Sequence, residues 1–283
     1  MRFGTIAAGA LALTLAAPVV AQDDPSPPSG NSAFDGDYLS VGVGAAYGSS
    51  YDGSDDYVFF PAALVQGSLG GVSFTSRGAG LALDFIPDPP DGVGFDLGVS
   101  GQVRGNRARQ IEDPVVSSLG ELDHAIEMGP AVGVGVSQVL NPYDSLNAGL
   151  DLTWDINGAH GGMVVEPSVT YFTPLSRGIA ASLSLSAEHV DGAFMDYYYS
   201  VCPAQSLASG LPAFDPDGGG WTKVGGNLLM GVDLDGDLEN GGLALVVVGG
   251  YTRMLGDAKR SPFTSVRGDA DQWAGAVGIG YTF

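Results

Sequence analysis

Several stretches of this sequence alternate apolar with small or polar residues at a strict period of two over about ten positions, and that alternation restricts the fold more than any other feature. From Leu146 to Asp155 the residues Leu146, Ala148, Leu150, Leu152 and Trp154 fall on one side, with Asn147, Asp151, Thr153 and Asp155 on the other. The pattern recurs with Phe95, Leu97, Val99 and Val103 against Asp96, Ser100, Gln102 and Arg104, and again from Ile179 to Glu188 and from Gln272 to Phe283. Side chains of a strand point alternately to its two faces, whereas a helix repeats at 3.6, so these segments are strands. Glycine supports the reading: 45 of 283 residues are Gly, more than twice the ordinary share of about 7%. They are spread through the apolar segments, where each would weaken a helix by about 0.5–1 kcal/mol relative to Ala.

Twelve strands are expected, at 38–48, 57–67, 71–77, 79–86, 93–104, 125–138, 146–155, 163–172, 179–189, 223–234, 242–253 and 271–283. Most run near ten residues, the length that crosses a bilayer at a tilt, while strands of soluble sandwiches are usually five or six. The connections sort by length. Residues 49–56, 105–124, 190–222 and 254–270 follow odd strands, short turns follow even ones, and the connections at Gly78 and 156–162 are the short odd exceptions. Outer-membrane barrels have this asymmetry, with short periplasmic turns and long external loops. The expected fold is therefore all-β: a transmembrane antiparallel β-barrel of about 12 strands with both termini in the periplasm. The Asp191–Trp221 loop is apolar enough to fold inward, and a narrow or closed pore is expected.

Residues 1–21 carry Arg2 as their only charge, an apolar run, and small residues before Gln22, which reads as a cleaved secretory signal peptide. Residues 22–37, rich in Pro, Ser and Asp, read as a disordered periplasmic tail, leaving 38–283 as the barrel. A net charge of -21 excludes a general nucleic-acid binder, which needs Lys/Arg patches. The single cysteine, Cys202, excludes a disulfide framework and a multi-cysteine metal site.

Chemical constellations are sparse. His124, His160 and His189 are scattered at outer strand ends or loops with no nucleophile motif, so they read as surface residues and the chain as a non-enzyme without a cofactor. The clusters Asp52/Asp55/Asp56 and Asp233/Asp235/Asp237/Glu239 offer carboxylate oxygens to divalent cations, but the second lacks the spacing of a calcium loop, and solvated turns are the simpler reading. Arg77, Arg104, Arg107, Arg109, Lys223, Arg253, Lys259, Arg260 and Arg267 gather at the long-loop rim. There they would contact lipopolysaccharide phosphates, line a pore mouth, or pair with nearby acids. Arg104 and Arg107 are the first choices for a structured role.

Tyr51-Asp52-Gly53-Ser54-Asp55-Asp56, Arg104-Gly105-Asn106-Arg107 followed by Leu119-Gly120-Glu121-Leu122-Asp123 leading to Glu127 and Gly129, Ser209-Gly210-Leu211-Pro212, Leu255-Gly256-Asp257-Ala258 with Ser261-Pro262, and the closing Tyr281-Thr282-Phe283 together resemble the MipA/OmpV family of Gram-negative outer-membrane proteins. The last, an alternating strand ending in an aromatic, resembles the signal read by the barrel assembly machinery. Asp52 departs from the family's usual Glu, and Tyr199-Ser200-Val201-Cys202 from its Tyr-Phe-Gly-Val. The resemblance implies an outer-membrane location among lipid and lipopolysaccharide. It also implies a scaffold joining a lytic transglycosylase to a murein synthase, with a porin-like channel for small solutes as the alternative.

Overall fold

The computed structural model describes residues 32–283 apart from Asp35, Asp88, Pro90 and Asp91. The expected signal peptide and nearly all of the expected tail lie outside the described residues. At the edge of the tail, the Ala33 N–H donates to the Glu239 carbonyl at 2.7 Å and Phe34 meets Tyr38 edge to face.

Twelve antiparallel strands close into one barrel: β1 (Tyr38–Ser49), β2 (Tyr57–Leu69), β3 (Val72–Arg77), β4 (Gly80–Asp84), β5 (Val93–Arg104), β6 (Ala125–Ser137), β7 (Ser145–Asp155), β8 (Met163–Ser176), β9 (Ile179–Val190), β10 (Gly220–Asp233), β11 (Gly242–Met254) and β12 (Asp271–Thr282). Each strand pairs with its sequence neighbours, and β1 with β12 completes the ring, with Val41 opposite Tyr281 and Tyr47 opposite Gly275. Closure removes the sheet edges and satisfies the backbone internally. The expected strands all form. β3 and β4, at six and five residues, are the shortest.

The alternation becomes an inside and an outside. Val43, Phe59, Phe95, Leu185, Val277 and Ile279 stand exposed on the outer face, while their neighbours Gly42, Asp96, Ser184 and Gly278 occupy the opposite phase, toward the lumen. An apolar belt around a closed barrel is the surface a hydrocarbon core accepts. Lumenal glycines also let strands approach: a Cβ on Gly129 would lie 1.9 Å from the Leu152 carbonyl oxygen, and one on Gly98 1.7 Å from that of Leu83.

The long connections carry five short helices: α1 (Pro114–Ser117), α2 (Gly192–Tyr199), α3 (Pro203–Ser209), α4 (Gly256–Arg260) and α5 (Pro262–Ser265). Their starts follow from local chemistry. Asp191 caps α2 by accepting the Phe194 N–H at 3.1 Å and ties it to β8 by accepting that of Met163 at 2.9 Å. Asp113 caps α1, and Pro203 and Pro262 open α3 and α5, where a missing N–H is harmless.

Candidate functional site

The long-loop end of the barrel is closed by a folded plug. α2 contributes Phe194, Met195, Tyr198 and Tyr199, which pack with Val164, Val190, Met254 and Ala258, all at most 1% exposed. A second cluster joins Tyr51, Val116, Val201, Leu211 and Phe263. The 191–219 segment therefore folds inward as expected, but α1, α4 and α5 share the plug, which the sequence reading assigned to one loop alone.

Most of the residues singled out from the sequence meet in this plug. The Tyr51 hydroxyl points to the carbonyls of Phe263 and Arg267 at 3.4 and 3.3 Å. Burial, reinforced by the Asp113 carboxylate, pushes its pKa up to about 12. Gly53 has φ +95°, a conformation that glycine permits, and donates to Gln272 Oε1 at 3.3 Å. Ser54 is fully buried and bridges to Gly268, while Asp55 is exposed. Ser261 donates from its hydroxyl to the Tyr199 carbonyl at 2.8 Å beside buried Pro262. Gly210 ends α3 in the left-handed region, followed by exposed Pro212. Tyr281 and Phe283 lie apart from the plug, exposed at the end of β12 with rings 4.6 Å apart.

Arg107 joins three loops. Its Nη1 donates to the Tyr198 carbonyl at the end of α2 at 3.1 Å, and its guanidinium lies 3.9 Å from the centre of the Phe263 ring. It is only 3% exposed and holds φ +56°, a strained value for a residue with a Cβ. Burial, partly opposed by Tyr51, Tyr199 and Tyr197, brings its pKa down to about 10, so the charge persists at neutral pH.

Beneath the plug the lumen is crossed by ion pairs. Arg104 on β5 donates from Nε to Glu127 Oε1 on β6 at 2.6 Å and reaches Glu188 Oε2 on β9 with Nη1 at 2.9 Å. Glu188 also lies 3.3 Å from Lys223 Nζ on β10 and accepts the Thr222 hydroxyl at 2.5 Å. Lys223 in turn lies 3.4 Å from Asp52 in the β1–β2 loop. Gln102 donates to Glu127 at 2.8 Å and to Glu166 on β8 at 3.2 Å, and Arg77 on β3 lies 3.5 Å from Asp151 on β7. The Phe194 ring roofs Arg104 at 4.9 Å. In a low-dielectric interior Arg104, Glu127, Glu188 and Lys223 hold position because each faces an opposite charge.

One sequence expectation is corrected here. His160 is not a surface residue: its side chain is fully buried, with Nδ1 accepting the Gly162 N–H at 3.0 Å, so that Nε2 carries the proton toward Glu127 Oε1 at 3.1 Å. The 156–162 connection folds back under α2 and stacks the imidazole edge to face on Phe194. Among the alternatives for the rim cations, pairing with nearby acids is the one that several of them take. Arg104, Arg107 and Lys223 turn inward, and Arg260 and Arg267 pair with Asp257 and Asp113.

The remaining candidates take plainer places. Asp233 accepts the N–H groups of Asp235, Gly236 and Asp237, so this cluster closes a turn at the opposite end. Cys202 is exposed at the start of α3. His124 is exposed, and His189 meets Trp221 edge to face. The glutamates Glu127, Glu166 and Glu188 were missed as a group. The available signal was a set of charges on the lumenal phase of β5, β6, β8, β9 and β10, all near one end.

The fold is similar to that of solved barrels. One is an outer membrane channel from Pseudomonas putida F1, at 13% identity and a TM-score of 0.44 over 92% of this chain and 100% of that one. The Ralstonia pickettii toluene transporter TbuX matches at 9% identity and a TM-score of 0.33, over 87% of this chain and 89% of its own. A Pseudomonas aeruginosa FadL homologue matches at 12% identity and a TM-score of 0.29, over 88% and 90%. No curated protein sequence matches the chain. Residues 41–283, which take in almost the entire barrel and its plug, match the family described as MltA-interacting protein MipA, and the chain belongs to that family.

Proposed function

We propose that this chain is a plugged outer-membrane barrel that anchors murein-degrading and murein-synthesising enzymes and has no catalysis of its own. The observation that carries this reading is the plug: four α2 side chains at most 1% exposed and the ion pairs beneath them occupy the space that a diffusion pore leaves to water. The family description names interaction with MltA. In this reading residues 1–21 are a cleaved signal, both termini are periplasmic, and the long loops face outward.

The periplasmic face then consists of the short turns and the 22–37 tail. The turns expose Leu140, Tyr143 and Leu234, apolar side chains of the kind that form the centre of a contact. A standard interface needs about 800 Å² per partner, more than isolated turns provide, so the tail is assigned a share of the contact. Affinity purification from crosslinked envelopes, comparing the intact chain with one lacking Gln22 to Asp37, tests this. Enrichment of a lytic transglycosylase or a murein synthase that falls with the tail deletion supports the anchor. Absence of both enzymes around a correctly assembled barrel overturns it.

The charged lumen favours a second reading, a narrow channel for small solutes. Glu166 faces the lumen and makes no ion pair among the described residues, a carboxylate that a purely structural barrel does not need. Liposome swelling with sugars of graded size separates the two readings.

A further inference from the structure

One run of the barrel wall lacks its ladder. β2 pairs with β1 along its length, from Ser49 opposite Tyr57 to Tyr38 opposite Ser68. Toward β3 it pairs only from Gln66 to Leu69. The ladder there ends on a side chain: the Ser76 hydroxyl donates to the Val65 carbonyl at 2.9 Å and accepts the Val65 N–H at 2.8 Å. Backbone groups of an antiparallel strand turn alternately to its two neighbours, so Phe59, Pro61 and Ala63 turn theirs to the same side as Val65. Among the described residues no strand pairs with them on that side.

Local sequence builds this edge. Pro61 has no N–H to leave unpaired, and a proline inside a sheet suits an edge. β3 and β4 turn back at Gly78, with Arg77 opposite Gly80, so their hairpin stops short of the upper half of β2. The uncovered stretch lies in the apolar belt: Phe59 faces outward, 71% exposed, with its ring 4.7 Å from that of Tyr47. At that depth unpaired backbone is tolerated only where it is buried in protein or lines a water-bearing cavity. The open side of β2 therefore borders the lumen.

Behind the same stretch the lumen changes character. Ala62 and Leu64 of β2 join Gly42 and Gly44 of β1 and Val246 and Val248 of β11 around a hollow of about 120 Å³. These residues share the lumenal phase: Gly44 stands opposite both Ala62 and Gly278, and Gly278 opposite Val246. No charged side chain is among those lining the hollow. The lumenal phase of β8 and β9 instead presents hydroxyls, with Thr170 Oγ1 2.9 Å from Ser184 Oγ. A barrel interior that holds water is polar throughout. A wall of glycine, alanine, valine and leucine gives water no partner and gives hydrocarbon a contact.

We propose that the β2–β3 seam is a lateral portal, and that the apolar half of the lumen behind it holds a hydrocarbon chain drawn from the bilayer. The occupant follows from continuity with the lipid-facing belt. Ala63 belongs to that belt, and Ala62 and Leu64 on either side of it line the hollow, so one open edge carries both surfaces. A protein strand fits worse: Pro61 cannot supply a rung, and Ser76 already holds Val65 where pairing would begin. The route runs sideways beneath the plug and depends neither on which way the long loops face nor on a murein enzyme.

Photocrosslinking from inside the lumen tests this. The full chain carrying Val248→p-benzoylphenylalanine, which inserts into nearby C–H bonds under ultraviolet light, is placed in liposomes of phosphatidylcholine with tritiated acyl chains. Leu245→p-benzoylphenylalanine, on the outer face of the same strand, is the labelled reference, and Ser184→p-benzoylphenylalanine samples the polar half of the lumen. Tritium is expected on the Val248 variant at several times the level on the Ser184 variant. Adding Ala62→Trp, which fills the hollow at its seam side, is expected to lower labelling from position 248 several-fold and to leave that from position 245 unchanged. Heat-modifiable gel mobility selects the folded fraction of each variant for counting. The proposal is overturned if position 248 stays unlabelled while position 245 is labelled, which would mean a wall closed to lipid. Equal labelling from position 184 would overturn the apolar site, and labelling that survives Ala62→Trp would overturn entry at the seam. A crosslink from position 248 to a second copy in place of tritium would assign the open edge to protein contact and overturn the lipid assignment.

Discussion

Arg104 and Glu188 meet at 2.9 Å across the lumen, from strands β5 and β9 that have three others between them. Backbone pairing links only neighbouring strands, so this contact and its partners Glu127 and Lys223 fix the cross-section at the long-loop end. Removing one member of a buried charge pair leaves the other uncompensated, at a cost of about 3–5 kcal/mol. Arg104→Gln, which takes the guanidinium from Glu127 and leaves Glu188 with Lys223 as its remaining cation, is expected to lower the thermal midpoint in detergent micelles clearly. Arg253→Gln, which breaks a half-exposed pair on the outer face, is expected to leave it within error, since exposed pairs contribute little.

The plug makes a separate prediction about conduction. Phe194 and Tyr198 are fully buried between α2 and the lumenal charges, with rings 4.7 Å apart. Replacing both by Ala removes the roof over Arg104 and leaves every strand untouched. Planar-bilayer recording is expected to show little conductance for the native chain and a several-fold increase for the double variant. A large, stable conductance in the native chain would contradict the closed reading of the plug.

Much of this architecture was readable from one sequence, and the reason is specific. Alternation such as Leu146-Asn147-Ala148 marks a strand whose two sides meet different solvents, and loop lengths reveal the long-loop end. His160 escaped because alternation stops at Asp155 and nothing in a turn sequence says whether it folds outward or under a neighbouring helix. Glu127, Glu166 and Glu188 were visible as lumenal charges, yet their partners sit on strands distant in sequence, and only closure of the ring brings them together. Arg107 was singled out by a family-like motif, whereas its contacts with Tyr198 and Phe263 depend on how three loops interleave.

Acid is expected to loosen the plug through Asp113. Burial alone would raise its pKa, but the Arg267 guanidinium at 2.5 Å and the Val116 and Val115 N–H groups outweigh it and hold the carboxyl below its ordinary value of 3.8. A carboxylate depressed in the folded state contributes stability that is full above its unfolded pKa and is lost as pH falls through the folded one. Protease sensitivity of the 105–124 loop is therefore expected to rise only below about pH 4. Asp113→Asn should show the looser behaviour at neutral pH and no further change on acidification. An unchanged pH profile in that variant would assign the effect to another group.

Glycine placement yields the sharpest contrast, because two glycines of similar strand context face opposite constraints. The β6–β7 ladder pairs residues up to Met128 and resumes at Ala131, lapsing around Pro130, which has no N–H to give. There the Leu152 carbonyl oxygen comes so close that a Cβ on Gly129 would lie 1.9 Å away, with the Thr153 Cα at 3.0 Å. These are backbone atoms of a paired strand and cannot move without breaking the barrel wall. Gly231 on β10 would place its Cβ in open space. Gly129→Ala is expected to reduce the folded, heat-modifiable fraction sharply, while Gly231→Ala should match the native chain or gain slightly from the lost flexibility of the unfolded state. Equal behaviour of the two variants would mean that the glycines serve composition and not the close approach of β6 to β7.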